Sequence, residues 1–244
     1  MIKYLMIALV GVPYVIYSEI IMLYYRISKA SNEKAYKRLR KTVLFINKLL
    51  RIKIEVFNKE YIENIDGVVI ASNHLSVIDI ITIIGLSPKP LFFISKIENK
   101  KVPFLNTHLK AVGCLSIDRH DLKQSLHISK EAGQLVNEGK NVVIFAEGTR
   151  NKEGKVAKFK AAFPTIVHYS KKDTVLICLE NTNKVMKYRP LYPKTDVRVY
   201  IFKPISYEFY KEHKKDFNDI TQKMVSDKLE ELKNEYSRDN RKES

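Results

Sequence analysis

From residue 52 onward, short strand-like runs alternate with longer stretches whose apolar positions recur every three or four residues. The runs at 52–57, 67–71, 91–94, 113–117, 142–146, 175–179 and 197–202 are rich in β-branched and aromatic residues and bounded by polar ones, the pattern of buried strands. The stretches near 78–85, 121–137 and 159–169 carry the helical period. Strand and helix in alternation predict an α/β fold with a central, mostly parallel or mixed sheet flanked by helices. From residue 216 on, Phe217, Ile220, Met224, Leu229, Leu232 and Tyr236 stand at helical spacing, which predicts a C-terminal helix docked on that core.

Two segments precede the alternating part. Residues 4–25 are an apolar run whose only charged side chain is Glu19, with Gly11 and Pro13 near the middle. A hydrocarbon core needs roughly 20 residues of helix, so the run predicts membrane attachment and favours spanning. Pro13 and Glu19 also suit a bent helix lying in the interface. The run is long for a signal peptide, and no small-residue cleavage site follows it. Residues 31–50 then place Tyr36, Leu39, Val43, Ile46 and Leu50 on one helical face, with Lys37, Arg38, Lys41 and Lys48 elsewhere around it.

Charge sharpens this picture. The formal net charge is +16. Ten Lys and Arg against one acid fall between residues 26 and 53, whereas residues 203–244 are balanced. Such a block binds nucleic acid or anionic lipid by the same electrostatics. The apolar run beside it selects an anionic membrane surface and not nucleic acid. By the positive-inside rule the rest of the chain belongs on the cytoplasmic face of the cell membrane. Cys114 and Cys178 each sit in an apolar strand-like run, which predicts buried thiols and no disulfide framework.

The candidate chemistry begins where the run at 67–71 hands over to the helical stretch that follows. Asn73, His74 and Asp79 fall at that junction, and in open α/β sheets such junctions face the ligand crevice. An unperturbed imidazole has a pKa of about 6.5 and suits proton abstraction, with Asp79 as the carboxylate that orients it. The competing reading makes Ser76 and Asp79 a capping box and His74 an ordinary loop residue; the two are compatible. Glu147, Gly148, Thr149 and Arg150 follow the run at 142–146, and Arg119 follows the run at 113–117. Glycine lets a ligand approach the backbone and arginine grips phosphate with a planar fork, although each arginine alone also fits a solvated turn. His108, His120, His127, His168 and His213 show no metal-ligand spacing and are expected at the surface or partly packed.

Asn73-His74-Leu75-Ser76-Val77-Ile78-Asp79 resembles the Asn-His-x-x-x-x-Asp signature of the glycerolipid acyltransferases, in particular those acting on 1-acylglycerol 3-phosphate. Phe145-Ala146-Glu147-Gly148-Thr149-Arg150 is similar to that family's Phe-Pro-Glu-Gly-Thr-Arg, with Ala146 in place of proline. Lys96, Val102-Pro103-Phe104 and the stretch from Gly113 to Arg119 resemble the block between them. The chain departs from the family at Phe159-Lys160-Ala161-Ala162, where a glycine is usual, and at Thr174 to Leu179, where prolines are.

The resemblance covers roughly residues 54–205. It implies membrane-associated helices at 1–51, an acyltransferase α/β domain at 52–205 and a docked helix at 206–244. It implies His74 and Asp79 as catalytic residues, and Asn73, Lys96, Arg119, Glu147, Gly148, Thr149 and Arg150 as substrate-binding ones. The reaction implied moves an acyl group from acyl-coenzyme A or acyl-carrier protein to the sn-2 hydroxyl of lysophosphatidic acid, with no cofactor and no metal. Another lysophospholipid or glycerol 3-phosphate as acceptor, a non-catalytic basic membrane-binding protein, and a metal-dependent hydrolase are the rival readings.

Overall fold

The structure is a computed structural model that describes residues 5–101, 103–151, 153–185 and 195–242 of the 244-residue chain. Tyr4, Val102 and the side chains of Phe104 and Tyr236 lie outside that description. Among the described residues, seven strands form one sheet: β1 (Ile52–Phe57), β2 (Val69–Ser72), β3 (Leu91–Lys96), β4 (Leu115–Ile117), β5 (Asn141–Phe145), β6 (Thr174–Glu180) and β7 (Thr195–Ile201). Their order is β1-β7-β6-β2-β5-β3-β4. Strands β6, β2, β5, β3 and β4 run parallel. β7 is antiparallel to β6, and β1 is parallel to β7, so the sheet is mixed.

The helices are α1 (Val12–Ile27), α2 (Asn32–Leu49), α3 (Glu60–Glu63), α4 (Ile78–Leu86), α5 (Pro103–Ala111), α6 (Leu122–Asn137), α7 (Ala162–Ser170), α8 (Tyr207–Glu212) and α9 (Phe217–Lys242). Both faces of the sheet are covered. Ile70, Val143, Val175 and Ile177 pack with Tyr36 and Val43 of α2 and Ile83 of α4. Val69, Ala71, Val142 and Leu176 pack with Ala132 of α6, Phe163 and Ile166 of α7, and Val225 and Leu229 of α9. Alternate residues of β2 thus serve opposite layers. This is why the central strands read as unbroken apolar runs, and every residue of β2 and β6 is buried.

Two local differences from the sequence expectation have simple causes. α7 begins at Ala162, because the Lys160 N–H donates to the Ala146 carbonyl (2.8 Å) and the Phe163 N–H to Lys160 (3.2 Å), holding the preceding residues in a turn. α5 is a helix that the apolar periodicity did not announce; it opens on Pro103, a residue suited to the first helical position.

α1, preceded by the π-helical turn Ile7–Gly11, has the reverse polarity of a soluble helix. Gly11, Ser18, Glu19 and Met22 face inward, while Leu9, Val12, Ile16, Ile20, Leu23 and Ile27 are exposed. The segment Ile7–Ile27 is long and apolar enough to cross a membrane. Inward contacts with α2 and α5 combine the buried Met22 with polar pairs. Ser18 and Thr42 hydroxyls stand 2.7 Å apart, and His108 of α5, partly packed, pairs through Nδ1 with Glu19 Oε1 at 2.6 Å. An outer face this apolar on a helix whose other face is docked on the domain marks membrane association.

The direction of α1 follows from its neighbours. Asn32, at the start of α2, lines a hollow with Lys89, Gly139 and Asn141, at the edge where the parallel strands begin. The far end of α2 leads into β1, whose first residue pairs with Thr195 near the carboxyl end of β6. A Cβ on Gly11 would come within 2.7 Å of Leu49 Cδ2. The amino end of α1 therefore lies at the edge where β2, β5 and β6 end.

Candidate active site

That carboxyl edge gathers the polar residues. After Ser72 the backbone leaves the sheet, and the Asn73 side chain replaces the missing ladder. Its Oδ1 accepts the Leu179 N–H (2.8 Å) and its Nδ2 donates to the Leu179 carbonyl (2.9 Å). A fully buried amide tied to β6 fixes where the next residue emerges. The next residue is His74.

His74 Nδ1 lies 2.7 Å from Asp79 Oδ2. Asp79 is fully buried, and the same oxygen accepts the Leu75 N–H (2.6 Å) and the Ser76 N–H (2.8 Å); its other oxygen accepts the Thr182 hydroxyl. A carboxylate at Nδ1 requires the proton on that nitrogen, which leaves Nε2 with its lone pair. Nε2 has no hydrogen-bond partner among the described residues. The capping arrangement is present as well: Ser76 Oγ accepts the Ile78 N–H at 3.0 Å while Asp79 reaches back to Ser76. The cap and the dyad are one structure, with α4 aiming Asp79.

The turn after β5 braces this loop from the other side. Glu147, 1% exposed, accepts the His74 N–H on Oε1 and the Ala157 N–H on Oε2, both at 2.7 Å. Burial pushes its carboxyl up to about 7 against the pull of those two N–H groups, and the nearby Asp79 carboxylate adds to the rise. The Asn151 N–H donates to the His74 carbonyl at 2.7 Å, so the loop carrying Gly148, Thr149 and Arg150 is fastened to the histidine backbone. Gly148 has φ +72°, a conformation that favours glycine, as the Gly148 N–H closes the turn onto the Phe145 carbonyl (2.9 Å). The Phe145 ring stacks on the His74 imidazole, centroids 4.0 Å apart and planes 15° apart.

Not every candidate lies so close. Thr149 and Arg150 are exposed beside the dyad, and Arg150 has no ion-pair partner among the described residues. Lys96 ends β3 and Arg119 follows β4, two and three strands from β2. At about 4.8 Å per strand they stand roughly 10 and 14 Å to the side. They form their own cluster: Lys96 Nζ lies 2.8 Å from Glu98 Oε1, and Glu98, held below its ordinary pKa first by that lysine, also faces Arg119. Sequence reasoning singled out neither Thr182 nor Glu98, and took Phe145 only as part of a motif. Thr182 reaches Asp79 from 103 positions away, which no local pattern reveals.

Comparison with known proteins fits this geometry. The family model described as Acyltransferase matches residues 53–179, from the start of β1 into β6. The chain belongs to that acyltransferase family. Among curated proteins, it is 33% identical over 176 residues to a chloroplastic 1-acyl-sn-glycerol-3-phosphate acyltransferase of Brassica napus, covering 68% of this chain and 51% of that one. A 1-acyl-sn-glycerol-3-phosphate acyltransferase of Borreliella burgdorferi is 28% identical over 135 residues, covering 55% and 54%. The chain thus spans about half the length of these relatives. The crystal structure of the 1-acyl-sn-glycerophosphate acyltransferase of Thermotoga maritima superposes with a TM-score of 0.74 at 22% identity over 95% of both chains, the same fold.

Proposed function

We propose that this chain acylates the sn-2 hydroxyl of 1-acylglycerol 3-phosphate from an acyl-coenzyme A or acyl-carrier-protein thioester, giving phosphatidic acid. The observation that carries the reading is the His74–Asp79 contact, which leaves Nε2 as a base at the mouth of the sheet. Nε2 takes the acceptor proton as the hydroxyl oxygen attacks the thioester carbonyl. Asp79 stabilises the imidazolium that forms, and the imidazolium returns its proton to the leaving thiolate as the tetrahedral intermediate collapses. The attacking oxygen belongs to the acceptor, so no enzyme nucleophile is needed.

In this reading Asn73 and Glu147 act on the backbone around His74, and Gly148 and Thr149 shape the approach to it. Arg150, exposed beside the dyad, binds the acceptor phosphate through its planar fork, with Arg119 and Lys96 further along the edge. α1 lies in one leaflet along its length instead of crossing it, because its inner face is fastened to α2 and α5. α2 turns Lys34, Lys37, Lys41 and Lys48 outward in one stripe, suited to anionic headgroups on the cytoplasmic face. With the amino end of α1 at the dyad's edge, a lysolipid reaches His74 without leaving the bilayer surface.

The test is a panel of lysophosphatidic acid, glycerol 3-phosphate and zwitterionic lysolipids, each offered with acyl-coenzyme A and acyl-carrier protein, with and without a chelator. Phosphatidic acid formed from lysophosphatidic acid, insensitive to chelation, supports the reading. Preference for a zwitterionic lysolipid moves the chain to another acceptor.

A further inference from the structure

The two oxygens of Asp79 meet different parts of the molecule. Oδ2 accepts hydrogen bonds from His74 Nδ1–H and two N–H groups of its own loop, whereas Oδ1 accepts one side-chain hydroxyl, that of Thr182. Thr182 opens the short 3-10 turn Thr182–Lys184 just beyond β6, after Asn181 at φ 66°. It is fully buried, and its carbonyl accepts the Ser76 hydroxyl at 3.1 Å. One residue therefore holds both the carboxylate and the cap of α4.

We propose that Thr182 is a positioning residue of the acyl-transfer site: its hydroxyl fixes the Asp79 carboxylate in the plane that presents Oδ2 to His74. The proposal rests on the reading of His74 as the base. Three donors converge on Oδ2, and rotation about the Cβ–Cγ bond of Asp79 would carry that oxygen away from the imidazole. Among the described residues, only the Thr182 hydroxyl anchors the opposite oxygen. A buried carboxylate oxygen stripped of its donor is costly, and the side chain would turn to recover one. Leu179, clamped by Asn73, and Thr182 belong to one stretch of chain, so the end of β6 sets both the backbone of His74 and the orientation of its partner.

The experiment compares full-length wild type, Thr182→Ser, Thr182→Val and His74→Ala, with palmitoyl-coenzyme A and 1-acylglycerol 3-phosphate in mixed micelles. Thermal unfolding is recorded for each, and Thr182→Ala replaces the valine variant if that one fails to fold. The expected result is a kcat about 10-fold to 100-fold lower for Thr182→Val, both KM values within about twofold, and rescue by Thr182→Ser. Wild-type kcat in Thr182→Val, a loss that falls on KM with kcat unchanged, or a serine variant as impaired as the valine one would overturn the proposal. An active His74→Ala enzyme removes the base reading and this proposal with it. An inactive His74→Ala enzyme beside an unaffected Thr182→Val enzyme removes the proposal alone.

Discussion

A single residue here rarely does a single job. Asp79 orients His74 and caps α4, and Glu147 supports the His74 backbone while sitting buried at a raised pKa. The folded protein keeps the Glu147 proton up to about pH 7, whereas the unfolded chain releases it near the ordinary 4.5, so stability falls as pH rises through that window. Glu147→Gln ends the titration and leaves one backbone N–H without an acceptor. The expected outcome is a lower thermal midpoint with a shallower decline between those pH values; equal slopes for mutant and wild type would count against it. Arg150 reports on chemistry instead. A phosphate monoester rewards a bidentate guanidinium over a point-charge ammonium, so Arg150→Lys should raise the KM for the lysolipid and leave the donor KM nearly unchanged. A donor-side defect in steady-state kinetics would take Arg150 out of the phosphate site. His74, Asp79 and the residues 147–150 were legible because each follows a strand within a few positions. Thr182 and the Asn73–Leu179 clamp were not, since both are pairings across more than 100 residues.

At the scale of elements, the strands were the most readable part, because central strands covered on both faces leave continuous apolar runs. β1 and β7 interleave polar residues such as Lys53, Glu55 and Asp196 with apolar ones, and nothing in that pattern told their reversed direction. α5 stayed hidden because the polar residues Asn106, Thr107, His108 and Lys110 break its apolar pattern; one of them, His108, faces α1 for its carboxylate. α1 was legible as a membrane element but not as a docked one. Its exposed Leu and Ile side chains contribute roughly 1.5–3 kcal/mol each when buried in lipid, against about 1 kcal/mol for each basic residue near an anionic surface. Removing residues 1–25 should therefore leave a protein that still binds anionic vesicles through α2 but is stripped by high salt, while the full-length protein stays bound. Sedimentation with vesicles at low and high salt checks this. Release of the full-length protein by salt alone would show that the apolar face of α1 does not enter the bilayer.

For the whole molecule, the uneven charge and the reversed polarity of α1 describe one arrangement. The basic block and the apolar face occupy the same end of the chain, packed on one side of a sheet whose carboxyl edge holds His74. In the proposed function, a membrane held there brings an amphiphilic acceptor to the base. Everything in this account depends on His74 acting as the general base. The most direct test is the turnover of folded His74→Ala protein with lysophosphatidic acid and an acyl thioester, since removal of a general base alone costs roughly 10²-fold to 10⁴-fold. The account predicts a loss of that size with an unfolding midpoint close to wild type. Near-normal turnover by the folded variant would contradict it.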